Sequence, residues 1–562
     1  MIWLAGKPTS TMLRAVRRRA RAAGWRISAV LIGRCGSSTA PDGNRHLWGA
    51  KMKKFGFLAA LPAAMLLAGA TWTTAALADD PILTKAPVAT APAGGPGPCD
   101  SVPAFFLSSC QLAWYGVKVY GVIDVGAGYQ TNGAPFNPQF PQGSSYLVQK
   151  MNRESMWTLA PNAMQRSSIG VQVNEPFAPG WRFVGQLEAG FDPYSLQFSN
   201  GPASIAGNRG VPLNEQSANN DSSHAGQIYN SLGYAGVTSD VLGTLTFFRQ
   251  NALTLDGVFA YDPMAASYAF SALGFSSSNC GAGDTETCRI TTAIKYRVAL
   301  GALRLGALAQ VGGYAENNGA NGDYEGQIGG DIPIGNFGWG DGLLSLDAIY
   351  KWEKDAVNLS LSGTPTAAGV PIAPFLPQTL TATISNNQNV MLLSKYTVGP
   401  LRLFAGYEWY QLAPPSDPVN TVTGFSNIGG LQMGTAYGNM TAISNTAFSA
   451  GCGTGTGCSD KVMQIMWTGA RYAVNGDIDV AAAYYHYIQN QYVSGAGICV
   501  NPTAHSQCAG TFDAVSAMVD WRFLPKWDAY FGIMFSQVNA GLSNGYLARN
   551  NLDPTVGVRF RF

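Results

Sequence analysis

Residues 181–192 read WRFVGQLEAGFD. Trp181, Phe183, Gly185, Leu187, Ala189 and Phe191 share one parity, and Arg182, Gln186, Glu188 and Asp192 share the other. A period of two is the mark of a strand with one apolar and one polar face. The same rule holds in VYGVIDVGAGY at 119–129, where Tyr120 and Asp124 take the polar side. It holds again at the end of the chain, VGVRFRF at 556–562, with Val556, Val558, Phe560 and Phe562 opposite Arg559 and Arg561.

Working outward from these stretches, sixteen segments repeat the pattern, each followed by a turn signal. They lie at about 115–130, 163–174, 181–193, 224–238, 242–250, 289–299, 302–313, 321–332, 338–354, 388–397, 400–412, 460–473, 476–492, 511–524, 526–538 and 553–562. Their connections alternate in length. Short ones such as TSDVLG, PIGNFG and VNGD alternate with a mostly long set at 131–162, 194–223, 251–288, 314–320, 355–387, 413–459, 493–510 and 539–552. A soluble sandwich has no reason to sort its loops this way. In lipid, every backbone polar group must be paired internally, so a sheet can span only by closing on itself. The expectation is an all-β fold: a transmembrane antiparallel β-barrel of about sixteen strands, with short periplasmic turns and long external loops. A basic residue placed on the lipid face would cost ~2–4 kcal/mol at midplane, which fixes the register.

Composition agrees. Charged residues are only 12% and apolar residues 46%, which excludes a disordered chain. Lys53-Lys54, the apolar run GFLAALPAAMLLAGA and Ala76-Leu77-Ala78 make up a secretion signal at 52–78 cleaved after Ala78. The run is too short for a spanning anchor. Residues 1–51 read as an extension from a start codon placed too early, and 79–111 as a Pro/Ala-rich periplasmic linker before the barrel at 112–562. The first 78 residues carry 12 of the 35 Lys and Arg and one of the 33 Asp and Glu, so the exported remainder is net −9. That balance speaks against a nucleic-acid partner and leans weakly toward cations as the transported species. Eight cysteines remain as near neighbours, Cys99/Cys110, Cys280/Cys288, Cys452/Cys458 and Cys499/Cys508, and local disulfides are the simplest reading in an exported chain.

The phrases YGVIDVGAGY at 120–129, RSSIGVQVNEPFAPGWRFVGQLEAGFDP at 166–193, NSLGYAGVTSDVLGTLTFFRQ at 230–250 and the terminal VGVRFRF resemble the general-diffusion porins of Gram-negative outer membranes. The resemblance implies residence in the cell outer membrane among lipid and lipopolysaccharide. It also implies a homotrimer of barrels and a third external loop folded inward to narrow each pore. The terminal Phe562, with Phe560, resembles the signal read by the barrel assembly machinery. For the constriction it implies acids on loop 251–288, where Asp256 and Asp262 are the candidates. These would oppose basic residues on the wall, for which inward parity offers Arg166, Arg182 and Lys118. Asp124 and Glu188 are inward acids at mid-height.

Enzymatic signatures are weak. Gly541-Leu542-Ser543-Asn544-Gly545 spells a nucleophile elbow, but no helix and no histidine follow it. GCGTGTGC at 451–458 lacks a Walker lysine, and His486 alone is no metal site, so neither a catalytic residue nor a cofactor is expected. The reading is a passive, water-filled channel for ions and small hydrophilic solutes. Its rivals are a substrate-selective channel and a surface barrel with adhesive loops.

Overall fold

The computed structural model describes residues 97–133, 146–148, 153–196, 198, 228–229, 231–273, 289–311, 322–335, 340–360, 366–367, 370–371, 379–413, 427–428, 431–432, 460–492 and 508–562. The expected extension, secretion signal and most of the linker lie outside these residues, as do Cys280, Cys288, Cys452, Cys458, Cys499 and the GCGTGTGC stretch.

Sixteen antiparallel strands close into a barrel. They are β1 (Val117–Gln130), β2 (Ser168–Ala178), β3 (Trp181–Gly190), β4 (Leu232–Ser239), β5 (Gly243–Asn251), β6 (Arg289–Leu300), β7 (Leu303–Gln310) and β8 (Gly322–Ile334). The second half is β9 (Gly342–Ser360), β10 (Thr379–Val398), β11 (Leu401–Ala413), β12 (Lys461–Ala473), β13 (Ile478–Gln489), β14 (Gly510–Leu524), β15 (Trp527–Ala540) and β16 (Asn550–Arg561). Each pairs with its neighbour in sequence, and β16 returns to β1 through Val122↔Arg561 to Gly128↔Thr555. All sixteen expected segments are present. The largest shifts are at β10, which starts at Thr379, at β4, which starts at Leu232, at β9, which runs on to Ser360, and at β2, which starts at Ser168.

Parity follows the sequence. Ile123, Phe183 and Leu187 are exposed on the outer face, while Asp124 is buried inside. The short ends turn on glycines with positive φ, Gly180 at 71° and Gly243 at 80°, which side chains rarely tolerate. His486 sits on the outer face of β13, with its Nδ1 2.7 Å from Asp513 Oδ1 and its ring stacked on Tyr484.

Before β1 comes a small clip. Helix α1 (Val102–Leu107) is capped by Ser101 and closed by the disulfide Cys99–Cys110. A short strand, Leu112–Trp114, then pairs with Val117–Val119 of β1. Phe560 lies on the apolar face of β16, as the alternation predicts, but it is not open to lipid. Its ring is buried, stacked on Phe106 at 5.4 Å and edge-on to Phe105 at 5.6 Å, because α1 lies over it. Lys526, in the turn between β14 and β15, donates to the Phe105 carbonyl at 2.8 Å and sits 4.6 Å above that ring. Trp527 Nε1 donates to the Phe106 carbonyl at 2.9 Å. Cys508 is also disulfide-bonded.

Candidate constriction of the lumen

The third external connection enters the barrel as helix α2 (Leu253–Tyr261), LTLDGVFAY. Seven of its nine residues are buried, Asp256 among them. Its first amide, on Leu253, donates to the Glu325 carboxylate of β8. Gly257 allows the close approach, since a Cβ there would lie 2.7 Å from Ile349 Cδ1 and 2.8 Å from Leu393 Cδ1. Tyr261 donates its hydroxyl to Asp347, and its carbonyl accepts from Trp467 Nε1 at 3.0 Å.

The two acids expected on this loop are both buried, with their carboxylates turned to the wall. Asp256 forms ion pairs with Lys295 and Arg297 of β6 and accepts from Asn251 Nδ2 at 3.2 Å. Asp262 accepts from the Tyr485 hydroxyl at 2.6 Å and from the Ala266 amide at 2.7 Å. Burial raises the Asp262 carboxyl above its ordinary range, against the pull of those donors.

Beyond α2 the loop crosses to the far wall. Phe270 meets Tyr530 edge-on at 6.2 Å, and its ring lies over Gly532, where a Cβ would be 2.5 Å from Phe270 Cε1. Tyr487 donates to the Ala272 carbonyl at 3.2 Å. The first external connection descends too. The Ala269 amide donates to the Ala163 carbonyl at 2.8 Å, Val148 N to Ser536 Oγ at 3.0 Å, and Asn551 Nδ2 to the Tyr146 carbonyl at 3.2 Å. Asp124 fixes its exit, accepting from the Met164 and Gln165 amides at 2.7 Å each and from Tyr530 at 2.5 Å.

These two loops form one apolar core with Leu308 of β7, Ile349 of β9, Leu393 of β10 and the inner faces of β11 to β15, including Tyr410, Ile465, Trp467, Tyr485 and Phe512. The inner wall of β1 to β4 is polar. There Gln186 donates to Tyr120 at 2.5 Å, Tyr120 to Glu188 at 2.9 Å, and Tyr234 to Gln186 at 2.9 Å. Arg166 lies in the field of Arg289 and Arg249, with its guanidinium against Gly190. Burial and those two like charges hold it below the usual arginine value.

Arg249 and Arg289 were not singled out from the sequence. Strict alternation puts Arg249 beside Phe247 on the lipid face. A bulge between Phe248 and Gln250 reverses it, so Arg249 is buried and donates to the Arg289 carbonyl at 2.5 Å. The available signal was an arginine at an outward position one residue from a loop. Lys118 and Arg182 lie inward at the end with short turns, where β7 to β16 add further basic residues. Arg304 there bridges Asp331 at 2.5 Å and Asp347 at 2.8 Å. On the opposite half, Lys351 of β9 is buried among Asp323, Glu325 and Glu353, at 2.8, 3.6 and 3.4 Å. Among the described residues, no group of three or more His, Cys, Asp or Glu is placed to hold a metal ion.

A closed barrel with an apolar belt outside, charged groups inside and loops packed into its lumen is the architecture of an outer-membrane diffusion channel. The profile described as Gram-negative porin matches residues 63–541, and the chain belongs to that family. No curated protein sequence matches the chain. Among solved structures it is similar to an anion-selective porin from Comamonas acidovorans, at 13% identity and a TM-score of 0.47 over 79% of this chain and 99% of that one. It is also similar to the outer membrane channel DcaP of Acinetobacter baumannii, at 11% identity and a TM-score of 0.41 over 79% and 97%. A third is OmpF of Salmonella typhi in complex with daunomycin, at 12% identity and a TM-score of 0.42 over 80% and 100%.

Proposed function

We propose that each barrel carries one eccentric aqueous path for ions and small hydrophilic solutes, and that three barrels assemble as a homotrimer. The observation that supports the path is the division of the inner wall. The two inserted loops pack mainly on β9 to β15, while β1 to β4 keep inward polar and charged groups that need water or a partner. In this reading Arg166, Arg249 and Arg289 form the basic side of the constriction. Asp256 and Asp262 hold the loop in place, Asp124 holds the first loop, and Glu188 lines the polar ladder. Lys118 and Arg182 line the exit. Phe560 and Phe562 serve assembly before α1 covers them.

The test is current through planar bilayers from purified, heat-modifiable barrels. Steps in groups of three support both proposals. Stable barrels without conductance would refute the path. A second reading, a substrate-selective channel, draws on the Tyr120, Gln186, Glu188 and Tyr234 ladder, whose spacing of donors and acceptors suits a polyhydroxylated solute. Saturable block of the current by one neutral sugar would favour it.

A further inference from the structure

We infer that the lumen selects anions, and that the sorting is done mainly by a basic ring at the periplasmic end, below the constriction. The inference rests on the reading of the barrel as an open channel and names the class of solute it prefers.

Two observations carry it. The first is register. Arg402 of β11 stands directly opposite Arg471 of β12, and both point inward. Lys395 of β10 lies on the same inner face, next to them. Like charges directly across a strand pair repel one another. On the outer sides Arg402 and Arg471 face Thr397 and Ala481, while Arg471 also lies in the field of Asp520 and Lys395 in that of Asp331. Lys118 and Arg182 bring the same sign to the ring from β1 and β3.

The second is which partner of each ion pair meets water. Arg297 is 25% exposed and its partner Asp256 3%. Arg561 is 36% exposed and Asp528 0%. Arg304 is 17% exposed and Asp347 0%, although its other partner, Asp331, is 40% exposed. Arg522 is 25% exposed and Asp479 16%. The carboxylates sit behind and the guanidiniums in front, so water in the lumen meets mostly positive charge. The acid-rich group around Lys351 does not offset this, because all of its members are buried. The net charge of the exported chain, −9, pointed weakly the other way. A sum over the whole surface says little about the field inside a narrow lumen, where only nearby charges act.

The test is the reversal potential of the reconstituted channel under a KCl gradient. Chloride preference is expected at ~0.1 M, weakening toward 1 M as the Debye length falls from ~10 to ~3 Å. The double variant R402Q/R471Q should shift the reversal potential toward zero with conductance retained. Potassium preference in the parent chain at ~0.1 M would overturn the inference and leave the channel reading intact. An unchanged reversal potential in the variant would overturn the role of the ring. If the variant fails to fold, the salt dependence in the parent chain decides alone, and a preference indifferent to salt refutes a field-based filter. Heat-modifiable barrels without any current would refute the channel reading and the inference with it.

Discussion

The hydroxyl of Tyr485, on the inner face of β13, donates at 2.6 Å to the carboxylate of Asp262, two turns beyond the start of the helix that enters the lumen. This bond bolts the third loop to the far wall. Burial raises the Asp262 carboxyl, so the folded chain binds its proton more tightly than the unfolded chain. The contribution to stability is therefore full below the unfolded value of ~3.9 and is lost as pH rises through the raised one. Hydrogen exchange at residues 262–269, corrected for intrinsic rate, should show tighter protection in acid. D262N should flatten that dependence while keeping the fold, and a variant that kept it would place the titration elsewhere.

Asp256 is the other bolt, and it faces two cations. D256N leaves the buried Lys295 and the part-exposed Arg297 without their shared carboxylate, an effect on local stability below the ~3–5 kcal/mol of a fully buried pair. Lys295 still donates to the Asn251 carbonyl at 2.8 Å, which softens the loss. The barrel should persist while α2 loosens, so single-channel traces should become noisier and the open current should rise. Quiet traces at the parent's current would show that α2 is held without Asp256.

Neighbouring residues on β3 test the two faces against each other. Leu187→Arg places a cation on the lipid side and should cost ~2–4 kcal/mol in a bilayer, while Gln186→Arg, inside, should cost far less. Urea titration of both variants in lipid vesicles separates them. Equal losses would contradict the assigned parity.

Serine at both Cys99 and Cys110 should remove ~3 kcal/mol from the clip by the loop-closure relation for a span this short. The expected result is a lower temperature for conversion of the compact to the extended form on gels, with conductance unchanged. F105A should act in the same direction through the lost contact with Phe560. No shift in either variant would mean that the clip rests on the barrel without securing it.

The spanning strands were legible because one face meets lipid and the other does not, so WRFVGQLEAGFD carries its own orientation. The rule weakens where the inner wall is itself apolar. In IDVAAAYYHYIQ, Tyr485 and Tyr487 point inward and Tyr484 and His486 outward, and composition does not distinguish the two sides. What makes the inner face apolar is a loop from elsewhere in the chain, which no local period encodes. The same holds for Arg249, turned inward by one bulge, and for Asp256, whose partners come from β6. The descent of Tyr146 to Val148 into the lumen left no periodic trace at all.

The chain's last residue and its clip meet on one strand. Phe562 exchanges both backbone hydrogen bonds with Gly121, at 3.0 and 3.1 Å, and Leu112–Trp114 continues along the same edge of β1 where the terminus stops. In mechanical terms the clip and the terminal strand share one anchorage on β1. Tension applied upstream of Gly97 would reach Cys99, cross the disulfide to Cys110 and load the hairpin in shear, bypassing α1. The closing contact between β16 and β1 would then be shielded from the pull, so a force on the clip would not open the seam first.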